Sequence, residues 1–151
     1  MKVSTRKQRR QGGFTLLEIM VVIVILGILA SMIVPNVLGN KEQADQQKVV
    51  SDIRALESSL DMFKLDNSRY PDTEQGLEAL VSDPGGLRKY KEGGYIKRLP
   101  KDPWGNDYIY LNPGEQSRSG YDLYSLGADG QEGGEGVNAD IGNFNLGDFQ
   151  G

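Results

Sequence analysis

Glu18 is a carboxylate in an apolar setting. It follows the Gly12-Gly13 pair by five residues in "RRQGGFTLLEIMVVIVIL" (9–26), within a run from Phe14 to Val34 that holds 21 residues and one charge. A charge near the centre of a membrane helix costs roughly 2.5–3.5 kcal/mol on insertion scales, and less toward an end. A lone carboxylate can escape that cost by protonating or by snorkelling to the interface. The alternative is a cation in the same layer, and the nearest available cation is an amino terminus. Cutting the chain between Gly13 and Phe14 would place a new α-amine four residues before Glu18. That amine could meet the carboxylate of its own chain or of a neighbouring chain, which hints at self-assembly inside a membrane.

A second set of carboxylates lies at the other end, in "SLGADGQEGGEGVNADIGN" (125–143). From Asp129 onward there are five acids (Asp129, Glu132, Glu135, Asp140, Asp148) and no base, among frequent glycines. Such a stretch cannot build an apolar core, so the residues alone leave two readings open. One is a mobile acidic tail with an Asp-Gly turn at 129–130. The other is a calcium loop, because calcium takes about 6–8 oxygen ligands in flexible geometry from carboxylates and carbonyls. It is not an EF-hand, since Gln131 and Gly133 occupy the third and fifth ligand positions of that pattern.

Other chemistry is excluded by composition. The chain has no histidine and no cysteine, which removes Ser-His and Cys-His nucleophile systems, histidine zinc sites and disulfides. "GEGVNA" (134–139) has the glycine spacing of a dinucleotide fingerprint, but no strand pattern precedes it and Glu132 and Glu135 would repel a pyrophosphate. No phosphate loop or serine elbow is present, and no apolar pocket is suggested that would shift a carboxylate pair for acid–base work. The expectation is a protein that is not an enzyme.

The elements that position these groups can be read from pattern. A length of 151 residues suggests one domain. Residues 1–13 carry five positive charges (Lys2, Arg6, Lys7, Arg9, Arg10), which leaves twelve basic residues of 17 against 21 acidic ones, a balance of −9. That balance argues against nucleic acid as a partner. As a helix the apolar run spans about 30 Å, the thickness of a bilayer's hydrocarbon core. A secretory signal peptide is the plain reading, but the run exceeds the usual h-region of about 7–15 residues and contains an acid. A membrane anchor fits the length better, and the basic leader then stays cytoplasmic.

After Pro35 a stem is expected. Val49, Ile53, Leu56, Leu60 and Phe63 form one helical stripe, and charged residues lie between them. The spacing predicts helix from about 14 to 65, loosened at Pro35. A short helix is expected over 72–82, with Asp72 or Thr73 as its N-cap. "DPGGL" (83–87) is turn chemistry, and "PKDPWGN" (100–106) is a turn with Trp104 packed on the sheet. Strands are expected near 108–111 and at "YDLYSL" (121–126), which alternates and would pair across the loop 112–120. The fold class is α+β: a long N-terminal helix on a head with about three antiparallel strands.

"GFTLLEIMVVIVILGILA" (13–30) resembles the leader junction of type IV pilins and pseudopilins. "DNSRYPDTEQGLEAL", "EGGYIKRLPKDPWGNDY" and the C-terminal stretch are similar in particular to the major pseudopilins of the type II secretion system. The resemblance implies a leader over 1–13 that ends at Gly13 and is removed by a prepilin peptidase, and N-methylation of Phe14. It further implies an assembly helix over 14–34, a stem over 35–66, a periplasmic head over 67–151, and Glu18 as the assembly carboxylate. The implied function is a structural subunit of a helical homo-oligomeric filament that drives folded exoproteins through an outer-membrane secretin. Implied partners are minor pseudopilins, the inner-membrane assembly platform and the membrane itself, at a single-pass inner-membrane location. The related major pseudopilins hold calcium in the matching loop. That implies carboxylate ligands at Asp129 and Asp140, carbonyl ligands at Leu126, Gln131 and Val137, and solvent-facing Glu132 and Glu135. A contrasting expectation is a membrane-anchored monomer that binds calcium or another ligand, for which Glu18 has no use.

Overall fold

The structure, a computed structural model, describes residues 13–149, and for 32–38 the backbone alone. The basic leader therefore lies outside the described residues apart from Gly13. The chain divides into two compact units, Met1–Gly39 and Asn40–Gly151.

Helix α1 runs Leu16–Asn67. Its start is set by Thr15, whose hydroxyl accepts the Glu18 amide at 3.2 Å while its carbonyl accepts the same amide at 3.1 Å. Thr-x-x-Glu is the spacing of a capping box, and an acid in the first turn suits the positive end of the helix. In the first unit the large apolar side chains from Phe14 to Leu29 are 49% to 81% exposed. Among the described residues, no helix is long and apolar enough to cross a membrane. Side chains there are described only to Ser31, while the apolar run in the sequence continues to Val34.

In the second unit α1 buries the predicted stripe: Val49, Ile53, Leu56, Leu60 and Phe63 are at most 1% exposed, joined by Val50. Fully burying a side chain of this size contributes about 1.5–3 kcal/mol, so this face anchors the head. The helix ends where Ser68 turns left-handed at φ 62, with its amide bonded to the Lys64 carbonyl. Asn67 ties that end to the loop ahead, donating to the Tyr95 hydroxyl and accepting from the Lys89 amide.

The helix expected over 72–82 is corrected to a turn followed by a 3-10 helix at Leu77–Leu80, whose N-cap is Gly76. Asp72 caps the turn alone, accepting the Gln75 amide at 2.8 Å. Gly76, at φ 57 and ψ −163, breaks the α geometry between the two pieces.

Strands β1 (Ile109–Leu111), β2 (Asp122–Ser125) and β3 (Ile141–Gly142) form an antiparallel sheet in that order. Ile109 pairs with Tyr124, and Ser125 with Ile141. The alternation expected in β2 does not correspond to a wet face, because all four of its residues are buried. Its polar members are satisfied internally. Asp122 accepts backbone amides from Glu115, Gln116 and Ser117, and the Ser125 hydroxyl donates to Asp102 at 2.8 Å. Asp102 in turn accepts the Trp104 and Asn106 amides, which fixes the turn and packs Trp104 against the core.

Candidate functional site

Two regions carry the candidate residues. In the first, Phe14, just ahead of α1, and Glu18, Ile19, Val22 and Ile23 in its first turns line one shallow apolar groove. The Glu18 carboxylate forms no ion pair or hydrogen bond among the described residues. Gly13 has open space where a Cβ would stand, and its φ is not left-handed. Nothing in the local fold therefore requires glycine at 13.

The second region is the loop from Leu126 to Asp140. It closes on itself: the Ala128 amide donates to the Val137 carbonyl at 2.9 Å, and Asn138 to Glu135 at 3.1 Å. Two glycines allow the close approach. A Cβ on Gly127 (φ +68) would lie 2.6 Å from the Asn138 backbone, and one on Gly134 (φ +88) 2.5 Å from it. Asp140 is held at both ends, its Oδ2 accepting the Gly133 amide at 2.8 Å and its carbonyl accepting Asn145 at 2.9 Å. Asp140 Oδ1 is buried without a hydrogen-bond partner, which is costly unless a cation or donor meets it.

The donor set fits calcium in kind. Asp129 uses Oδ1 to accept the Gln131 amide at 3.1 Å, and the Leu126 and Gln131 carbonyls accept no backbone hydrogen bond among the described residues. The Val137 carbonyl already accepts Ala128 and has one lone pair left. Among the described residues no group of three or more His, Cys, Asp or Glu is placed to hold a metal ion, so a cation in this loop would have to draw on carbonyls beside the carboxylates. Glu132 and Glu135 are exposed as expected, although Glu132 shares a cavity wall with Asp140, Asp122 and Tyr124. Burial first, and then the carboxylates of Glu132, Asp140 and Asp122, push the Tyr124 hydroxyl pKa up. The dinucleotide-like "GEGVNA" contains a 3-10 turn at Gly136–Asn138, and β2 ends at Ser125, too far back to lead directly into it.

Sequence reasoning missed Asp122, since a carboxylate that organises a neighbouring loop through backbone amides leaves no spacing signal. The expected third strand was given no position, because β3 is two residues long inside a glycine-rich stretch.

Comparison with known proteins converges on one family. The family described as "Type II secretion system (T2SS), protein G" matches residues 36–144, and the prokaryotic N-terminal methylation motif matches residues 8–34. The type II secretion system core protein G of Vibrio cholerae is 69% identical over 96% of this chain and 99% of its own. That of Aeromonas hydrophila is 63% identical over 95% and 99%. The crystal structure of the major pseudopilin from enterohaemorrhagic Escherichia coli matches with a TM-score of 0.62 at 56% identity, covering 73% of this chain and 95% of that one. The methylation motif over the apolar N-terminal run, the family match over residues 36–144 and the near full-length relatives settle the question: the chain belongs to the type II secretion system protein G family, the major pseudopilins, and is a structural subunit rather than an enzyme.

Proposed function

We propose that the chain is cut between Gly13 and Phe14, methylated on the Phe14 amine and held in the bacterial inner membrane by residues 14–34. From there it polymerises into a periplasmic pseudopilus that drives folded exoproteins through the outer-membrane secretin. Minor pseudopilins and the inner-membrane assembly platform are its partners. The observation that carries this reading is the first part of α1, from Leu16 to Leu29, exposed throughout yet apolar except for Glu18. Lipid satisfies such a surface before assembly, and copies of the same helix satisfy it afterwards. A run rich in Val and Ile stays helical there because backbone groups have no partner but each other. Glu18 then sets the register. Alone in lipid its carboxylate is costly, and the amine of a neighbouring copy's Phe14 offsets that cost only once subunits meet. A monomeric anchor would gain nothing from the residue.

In the same reading Asp129 and Asp140 hold calcium by carboxylates, and Leu126, Gln131 and Val137 by carbonyls. The buried, unpartnered Asp140 Oδ1 is what supports this. A bound calcium ion supplies positive charge that relieves repulsion among the loop acids and stabilises the head by mass action, by about 2.7 kcal/mol at a hundredfold excess over Kd.

Complementation tests the filament role. In a bacterium lacking its own core protein G, this chain should restore exoprotein to the medium; processed chain without export would refute it. Melting tests the loop: calcium should raise the wild-type midpoint, and Asp129→Ala or Asp140→Ala should remove that rise. Equal wild-type melting in calcium and in chelator would refute the site.

A further inference from the structure

The stripe that α1 buries changes chemistry near the C-terminal loop. Beyond Val49 it continues through half-buried Gln46, Asp45 and Glu42, three, four and seven residues back on the same helix face. Polar groups on a buried stripe need partners, and Gln46 finds its partner in the loop. Its side-chain amide donates to the Gly136 carbonyl at 3.1 Å, 90 residues away in sequence. Glu42 reaches the same point, its Oε1 lying 3.0 Å from where a Cβ on Gly136 (φ +61) would stand. The neighbouring Gln47 donates instead to the Phe149 carbonyl at 2.6 Å, at the end of the chain's last 3-10 helix.

The contact at Gly136 falls beside a proposed ligand. Gly136 precedes Val137, whose carbonyl accepts the Ala128 amide at 2.9 Å. The turn Gly136–Asn138 is thus held from the helix by Gln46 and from the β2 side by Ala128. We infer that Gln46 is a positioning residue of the calcium loop, which fixes the Gly136–Val137 peptide and couples calcium occupancy to order in the helix over 42–47. This inference rests on the calcium reading above. A neutral amide suits this position because it donates to a carbonyl without bringing a cation, as lysine would, next to the Val137 carbonyl. Glutamate there could not donate at all. Because coupling is reciprocal, whatever Gln46 adds to calcium affinity, the bound ion returns as helix order. Asn40 opens the second unit, so that order is gained in its first two turns.

The test uses the full chain in detergent micelles, with calcium alone as the probe. Titration calorimetry gives Kd, and hydrogen exchange reports on amides 40–48 and 128–139. Gln46→Met keeps the side chain's length and loses the donor. It should weaken calcium binding about five- to tenfold, the worth of one net hydrogen bond, and abolish calcium-dependent protection of amides 40–48. Gln47→Met, which loses a contact outside the ligand turn, should stay within about twofold of wild type. A merely structural role for Gln46 would lower stability in chelator without changing Kd or that protection, and this result overturns the inference while leaving the calcium site standing. Wild-type chain that takes up no calcium overturns the calcium reading and the coupling together.

Discussion

Asp122→Asn should destabilise the head far more than its small change in shape suggests. Asp122 is 2% exposed. Its Oδ2 accepts Glu115 at 2.7 Å and Gln116 at 3.0 Å, and its Oδ1 accepts Ser117 at 2.7 Å and Gln116 at 3.2 Å. Replacing either oxygen by NH2 strands one amide, Glu115 or Ser117, while Gln116 keeps the other oxygen. A lost charge-assisted bond together with an orphaned donor costs about 3 kcal/mol, or roughly 10–20 °C in melting midpoint for a domain of this size. The pH dependence adds a second signature. Burial pushes the Asp122 pKa up, but the amides of Glu115, Ser117 and Gln116 outweigh it and hold the pKa below the ordinary 3.8. A lowered folded pKa stabilises fully above the unfolded value and loses that contribution as pH falls through the folded one. The variant's amide has no charge to lose, so the gap between the two melting curves should close only below pH 3.8. Trp104 is the single tryptophan and packs on the core, so its fluorescence on heating, in chelator, reads the transition. Melting within about 2 °C of wild type at neutral pH, or a gap that persists in strong acid, would refute this reasoning.

Three further outcomes are expected. Ile53→Ala, at a site 0% exposed, should cost the head about 2–5 kcal/mol, while Ile25→Ala, at a site 51% exposed, should leave head melting unchanged. If a peptidase reads Gly13 as proposed, Gly13→Leu should leave the leader attached, seen as an intact mass that still includes Met1, while the open space at Gly13 lets the fold take the larger side chain. Asp140→Ala should show the same melting midpoint with and without calcium, since it removes the oxygen left unpartnered in the loop.

What the sequence disclosed follows from how each element is encoded. The α1 stripe was legible because one face meets the core over four turns and apolar residues repeat at helical spacing. The strand pair 109–111 and 122–125 was legible from composition and turn spacing. Its burial was not, because Asp122 and Ser125 look solvent-facing until the Glu115–Ser117 amides and Asp102 come to meet them. The helix over 72–82 was over-read because Leu77, Ala79 and Leu80 suit a helix while Gly76 interrupts it through a dihedral angle that periodicity does not record. The roles proposed for Gly13, Phe14 and Glu18 rest on sequence alone, since partners outside the fold would read them and the fold itself asks for none of the three. Gln46 was not, because a glutamine on a helix says nothing until the loop 90 residues on arrives beside it.

In the proposed filament Glu18 serves contact between subunits. Its most direct test is negative-stain microscopy of membranes overexpressing wild-type chain and Glu18→Val side by side, at matched levels of processed protein. Removing a charge from lipid leaves insertion intact or improved, so both chains should be present in the membrane fraction. Extended filaments should form from wild type and none from Glu18→Val; filaments of equal length and number from both would rule out a subunit contact through Glu18.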